Sequence, residues 1–227
     1  MSVILDNGEV LPKLPRDSET AERVIRIDSV AYLSGYEHPL PSLKYISYDA
    51  YLRDYEHSLT SLVEIGGMAI LSGYAHHMPS LKKVRGSIYL IGYKNPLPSL
   101  EYIGRAPDLG RYCCPLPSLK RIRGDASLHG YAHIPDWIGY VGNDSRGKSF
   151  WADLLRNSVR GGWHNFTPEE ALDYWWPDSP GDYTDSFELV KKAIALIPGT
   201  EILLHSLPSP PKPLFRSLIS KIIAHCK

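Results

Sequence analysis

The chain has 227 residues, 43% of them hydrophobic and 22% charged, which fits a folded protein and excludes a wholly disordered one. Lys+Arg and Asp+Glu both number 25 and divide evenly about Asn143, so neither half carries the global field of a non-specific nucleic-acid or anionic-membrane binder; a local basic patch is compatible with that balance. Three cysteines without a CxxC pair exclude a disulfide framework and a cysteine zinc site, and no run approaches the roughly 18 apolar residues of a membrane span.

Residues 1–20 read as a cap. Ser2-Val3-Ile4-Leu5, Asp6-Asn7-Gly8 and Val10-Leu11 form the pattern of a hairpin around an Asn-Gly turn. From residue 21 to 143 the chain is a tandem array. Ser42, Ser61, Ser80, Ser99 and Ser118 recur every 19 residues, each followed by Leu. Tyr36, Tyr55, Tyr74, Tyr93, Tyr112 and Tyr131 keep the same step, as does the column Ile27, Ile46, Ile65, Val84, Ile103, Ile122. The unit is A-Y-L-x-G-Y-x-H-x-L-P-S-L-K-x-I-x-G-x. Its A-Y-L stretch alternates as a half-buried strand does, with Leu inward and Tyr outward. L-P-S-L-K-x-I contains a proline that cannot donate to a ladder and suits a 3₁₀ or extended return. One such coil cannot bury enough apolar surface to fold alone, whereas stacked coils can, provided their open edges are capped.

This pattern resembles leucine-rich-repeat proteins of bacteria and their phages, in which L-x-L-x-G and L-P-x-L alternate. The resemblance implies a mainly β repeat solenoid with one strand per coil and short 3₁₀ or extended returns. The unit is short, and Tyr stands where that family commonly has Asn, which leaves a parallel β-helix as the alternative. Residues 144–227 then form a small α+β capping or docking region. In it, residues 149–164 fit either a hairpin turning near Arg156-Asn157 or a helix. Thr167-Pro168-Glu169-Glu170 is an N-cap signal opening a helix through Trp175 and Trp176. A second helix is expected from about Asp185 to Ile197. A Pro208–Pro213 linker and an amphipathic helix from Leu214 to Cys226 follow. The stretch from Arg160 to Trp176 is similar to a short module that follows repeat arrays in phage and mobile-element proteins. That similarity implies the hairpin and a docking role.

Three constellations bear on chemistry. Gly142 to Ser149 spells G-x-x-x-x-G-K-S, the phosphate-loop string, in which Lys148 and Ser149 would hold nucleotide phosphates and Mg²⁺. It follows a repeat rather than a buried parallel strand, so a polar turn is the expectation and nucleotide or nucleic-acid binding the alternative. His38, His57, His76, Asn95, Cys114 and His133 share one column, and neighbouring imidazoles could approach a metal; a stacked loop ladder is the simpler reading, and no metal or cofactor is expected. The outward strand positions supply Tyr32, Tyr51, Ile70, Tyr89 and Asp108 in one column, and Arg53, Ile91 and His129 in the next. Tyr and Arg on a rigid face are typical anchors for a protein partner. No hydrolase or metalloprotease motif appears, so the expectation is a non-catalytic protein-binding scaffold, not an enzyme. The phage resemblance implies an inhibitor of a host or defence protein; a structural part of a virion is a further alternative. No basic-then-apolar leader opens the chain, and a reducing cytosol, bacterial or host, is the expected location.

Overall fold

A computed structural model describes residues 2–176, 184–205 and 207. Between Val24 and Ile122 the chain winds as a β-solenoid whose rungs lie 19 residues apart. One parallel sheet, sheet A, stacks β3 (Val24–Ile27), β5 (Tyr45–Ile46), β7 (Glu64–Ile65), β9 (Lys83–Val84), β11 (Tyr102–Ile103) and β12 (Arg121–Ile122). A second, sheet B, stacks β4 (Ala31–Tyr32), β6 (Ala50–Tyr51), β8 (Ala69–Ile70) and β10 (Ile88–Tyr89), and single bridges continue it through Asp108 and Ser127. Every coil up to β10 therefore contributes two short strands rather than the one expected. Pro41 and its equivalents break only the turn before sheet A, and the K-x-I residues beyond them are free to donate to the neighbouring coil. The register pairs like with like, Ile46 against Ile27 and Ile65, and Ala50 against Ala31 and Ala69. The Leu and Ile columns consequently stack into one continuous buried core.

The long return from sheet B to sheet A is held differently. Between Gly35 and Leu43, and in the equivalent stretches, no backbone hydrogen bond among the described residues joins neighbouring coils; side chains do, the tyrosines foremost. Successive ring centroids from Tyr36 to Tyr131 lie 6.1–6.4 Å apart in stacked orientation. Each hydroxyl donates backward to a main-chain carbonyl at 2.9–3.1 Å: Tyr55 to His38, Tyr74 to His57, Tyr93 to His76, Tyr112 to Asn95, Tyr131 to Cys114. Tyr thus meets by a side chain the coil-to-coil polar demand that a ladder would otherwise meet, and buries a ring as well.

At the N-terminal end β1 (Val3–Leu5) and β2 (Val10–Leu11) form the anticipated hairpin, with Gly8 at φ +84 in its turn. β1 pairs antiparallel with β3 and so covers the sheet edge. A short helix, α1 (Ser18–Glu22), capped by the Asp17 carboxylate on the Thr20 amide, connects the hairpin to β3. At the other end, β13 (Ile138–Asn143), β14 (Ser149–Asp153), β15 (Ser158–Gly161) and β16 (His164–Phe166) make an antiparallel meander. Residues 149–161 are therefore the hairpin of the two readings, turning through Asn157 at φ +48. β14 is buried along its whole length because it has two faces to fill. Trp151 packs into the solenoid core, edge-on to Trp137, while Phe150 and Ala152 join a second core with α2 (Pro168–Tyr174) and α3 (Thr184–Ile194). Thr167 and Glu170 cap α2 reciprocally, as the N-cap signal predicts. A last short helix, α4, spans Glu201–His205. The expected Pro208–Pro213 linker and Leu214–Cys226 helix lie outside the described residues. No helix among the described residues is long and apolar enough to cross a membrane.

Candidate functional site

Sheet B brings one of the two predicted columns together. Parallel register places Tyr32, Tyr51, Ile70, Tyr89 and Asp108 side by side on its outer surface. Tyr32 is 61% exposed and stacks on Tyr51 at 4.7 Å. At about 4.8 Å per rung, Tyr32 to Tyr89 spans about 14 Å of rigid aromatic and aliphatic surface. Ile91, 43% exposed, extends this strip beyond Tyr89. Arg53 is exposed beside it, its aliphatic stem over Gly73. Asp108 marks the polar end. His129 is exposed four rungs from Arg53 in the same column, about 19 Å away, and is not part of the strip.

The histidine column has a local structural task. Nε2 of His38 lies 2.8 Å from the Arg16 carbonyl in the N-terminal cap, and Nε2 of His57 and His133 lies 2.7 and 3.1 Å from the carbonyls of Glu37 and Cys113 in the preceding coil. Asn95 Nδ2 donates to the Ala75 carbonyl at 2.8 Å, and Cys114 Sγ to that of Lys94 at 3.2 Å. The property common to His, Asn and Cys in this column is thus a donor that reaches one coil back. Among the described residues no cluster of three or more His, Cys, Asp or Glu side chains is arranged to hold a metal ion.

Residues 144–148 form the turn between β13 and β14. Its amides already face carboxylates: those of Arg146 and Lys148 donate to Asp144 Oδ1 at 3.0 and 2.9 Å, and that of Ser145 donates to Asp185 Oδ2 at 2.6 Å. The Gly147 amide donates to the Asp144 carbonyl. Asp144 is buried, and its second oxygen accepts from Arg146 and from the Ser186 hydroxyl. Hydrogen bonding from Ser145 holds the Asp185 carboxyl below its usual range. Lys148 Nζ lies 3.5 Å from Asp125, and Ser149 Oγ donates to Asn143. The amide positions that would cradle a phosphate therefore hold two internal carboxylates, which lock the turn onto α3.

Sequence reasoning missed a cleft of about 210 Å³ beside this turn. Gly162 at φ +57 and Trp163 make the two-residue connection between β15 and β16, with glycine at the first position as a type II′ turn requires. That turn leaves Trp163 77% exposed. Trp163 Nε1 donates to His164 Nε2 at 2.7 Å, and the His164 ring lies 4.6 Å from that of Tyr174 and edge-on to Trp175. Burial pushes the His164 imidazole below its ordinary pKa, favouring the neutral ring that accepts this bond. Arg146 and Lys148 also line the cleft. Gly161 makes the packing beneath it possible, because a Cβ there would stand 2.5 Å from Phe150 and 2.7 Å from Trp175. The signal for this cleft was the Gly-Gly-Trp-His string, in which two small residues present an aromatic at a turn.

The fold defines the class: a β-solenoid closed by an N-terminal hairpin and a C-terminal meander with helices. No family model, curated protein or solved structure matches the chain.

Proposed function

We propose that the protein is a non-catalytic protein-binding scaffold that engages its partner through the outer surface of sheet B. The observation that carries this reading is the ordered strip of Tyr32, Tyr51, Ile70 and Tyr89, with Ile91 and Arg53 beside it. The parallel register fixes their backbone positions and Tyr32 stacks on Tyr51, which lowers the freedom left to lose on binding. Rings, an aliphatic patch and a flanking Arg are the composition of an interface centre. The resemblance to bacterial and phage leucine-rich-repeat proteins supports a phage or mobile-element origin. The partner in this reading is a host or defence protein in the cytoplasm.

Tyr51→Ala combined with Arg53→Ala tests the reading. Both changes are at the surface, so the melting temperature should stay close to wild type, while affinity for a protein that co-purifies with the wild-type chain falls by tenfold or more in a titration. Unchanged affinity in the folded double variant would remove sheet B from the interface.

A further inference from the structure

The formal charge of the chain is zero, yet its sheet A surface is not uniform. Along the first rungs, Arg26 is matched by Asp28, and Glu64 adds a further carboxylate. Across β9, β11 and β12 the balance changes. Arg85 pairs with Glu64, and Lys120 with Glu101. Lys82, Lys83, Arg105, Arg121 and Arg123 occupy the same surface, and no ion pair is formed by any of them among the described residues. They border a shallow trough of about 730 Å³. Gly104 also lines it, at a position where a Cβ would collide with the Arg85 carbonyl of the neighbouring coil. Tyr102 lies in the same trough with Lys83 Nζ 5.4 Å from its ring centroid.

This basic surface runs toward the aromatic cleft. Arg160 on β15 donates to the Arg123 carbonyl, and Lys148, which lines the cleft, reaches Asp125 two residues beyond Arg123. Gly162, next to Trp163, lies over the same Asp125 and Lys148 side chains. Five cations on adjoining rungs thus lead to exposed Trp163, with His164 and Tyr174 beside it and Arg146 and Lys148 lining the same cleft.

We propose that the sheet A surface of the last three rungs and the Trp163 cleft form one track for single-stranded nucleic acid. Cations along a groove follow a phosphate backbone, and an exposed indole offers a face on which an unpaired base stacks. Duplex offers the same phosphates but keeps its base faces covered, and an acidic polypeptide offers charge without a stacking ring. The track is separate from the sheet B strip, so the two readings stand or fall independently.

The test is fluorescence anisotropy of the full chain with labelled dT20 at 50 and 200 mM salt. Lys83→Glu with Arg121→Glu reverses the trough, Lys94→Glu with Arg111→Glu makes the same net charge change on the tyrosine-ladder side, and Trp163→Ala removes the stacking ring. Wild type should bind dT20, with a roughly 100-fold loss between the two salts if about five phosphates are neutralised. The trough reversal should weaken binding at least tenfold, and the ladder-side reversal by less than threefold. Trp163→Ala should cost roughly 5- to 150-fold, the measured range for one stacked base. Circular dichroism checks that each variant is folded, and Lys83→Gln with Arg121→Gln replaces the trough reversal if it is not. No binding of dT20 at 50 mM salt would overturn the proposal. So would equal loss in the two reversals, equal affinity for duplex DNA, or polyglutamate competing as well as dT20 at equal charge.

Discussion

Replacing Tyr74 by Ala is expected to cost about 3–5 kcal/mol, the range for deleting a buried aromatic side chain. Its ring is buried between those of Tyr55 and Tyr93, and its hydroxyl donates to the His57 carbonyl and accepts from the Leu59 amide. Tyr74→Phe keeps the stack and removes only those bonds, so a smaller loss of about 1–3 kcal/mol is expected. Equal losses would mean that the hydroxyls, not the rings, bind the coils. The ladder also fixes the response to alkali. Burial raises the phenol pKa values above the ordinary 10, to about 12 for Tyr36 and Tyr131 and further for the tyrosines between them. The unfolded phenols then ionise first, so this stability is complete below about pH 10 and is lost as pH rises toward the folded values. Each buried phenol contributes a slope of about 1.4 kcal/mol per pH unit in that window. The part of the 295 nm absorbance rise that comes from the ladder phenols should therefore coincide with loss of the circular dichroism signal, not precede it.

The junction between solenoid and meander should be equally sensitive. Asp153 is fully buried, 2.9 Å from Arg156 Nη1 and 3.9 Å from Arg160 Nη2, and Arg160 is itself 5% exposed. Asp153→Ala leaves that guanidinium without its buried counter-charge, and a loss of about 3–5 kcal/mol is expected in chemical denaturation. Asp153 Oδ1, Arg160 Nε and Trp151 Nε1 have no hydrogen-bond partner among the described residues, so the cluster is incompletely satisfied. Adding Arg160→Met to Asp153→Ala should accordingly recover at least half of the loss. A double variant no more stable than the single one would show that the Arg160 bond to the Arg123 carbonyl matters more than charge neutralisation.

The sequence showed the solenoid clearly because a 19-residue period writes its register directly: every Leu and Ile column is a stacked core position. The second strand of each coil was hidden by Pro41 and its equivalents, whose effect ends at the turn. The function of the histidine column became clear only from distance, since a donor aimed one coil back has no sequence signature beyond its residue type. The phosphate-loop string could not be judged from its letters. Its amides are taken by Asp144, inside the string, and by Asp185, forty residues after Ser145. The basic trough was equally illegible, because its cations are spread over three repeats and balanced by carboxylates elsewhere on the coils.

The central claim is that sheet B is the protein-binding surface, and site-specific photo-crosslinking tests it most directly. Benzoylphenylalanine replaces Tyr51, Tyr89 or Tyr102 in turn, and the chain is irradiated in a lysate of the cell in which it acts. Positions 51 and 89 should yield the same discrete crosslinked protein, and position 102 on sheet A should not. A protein crosslinked at 102 and absent from 51 and 89 would contradict the account.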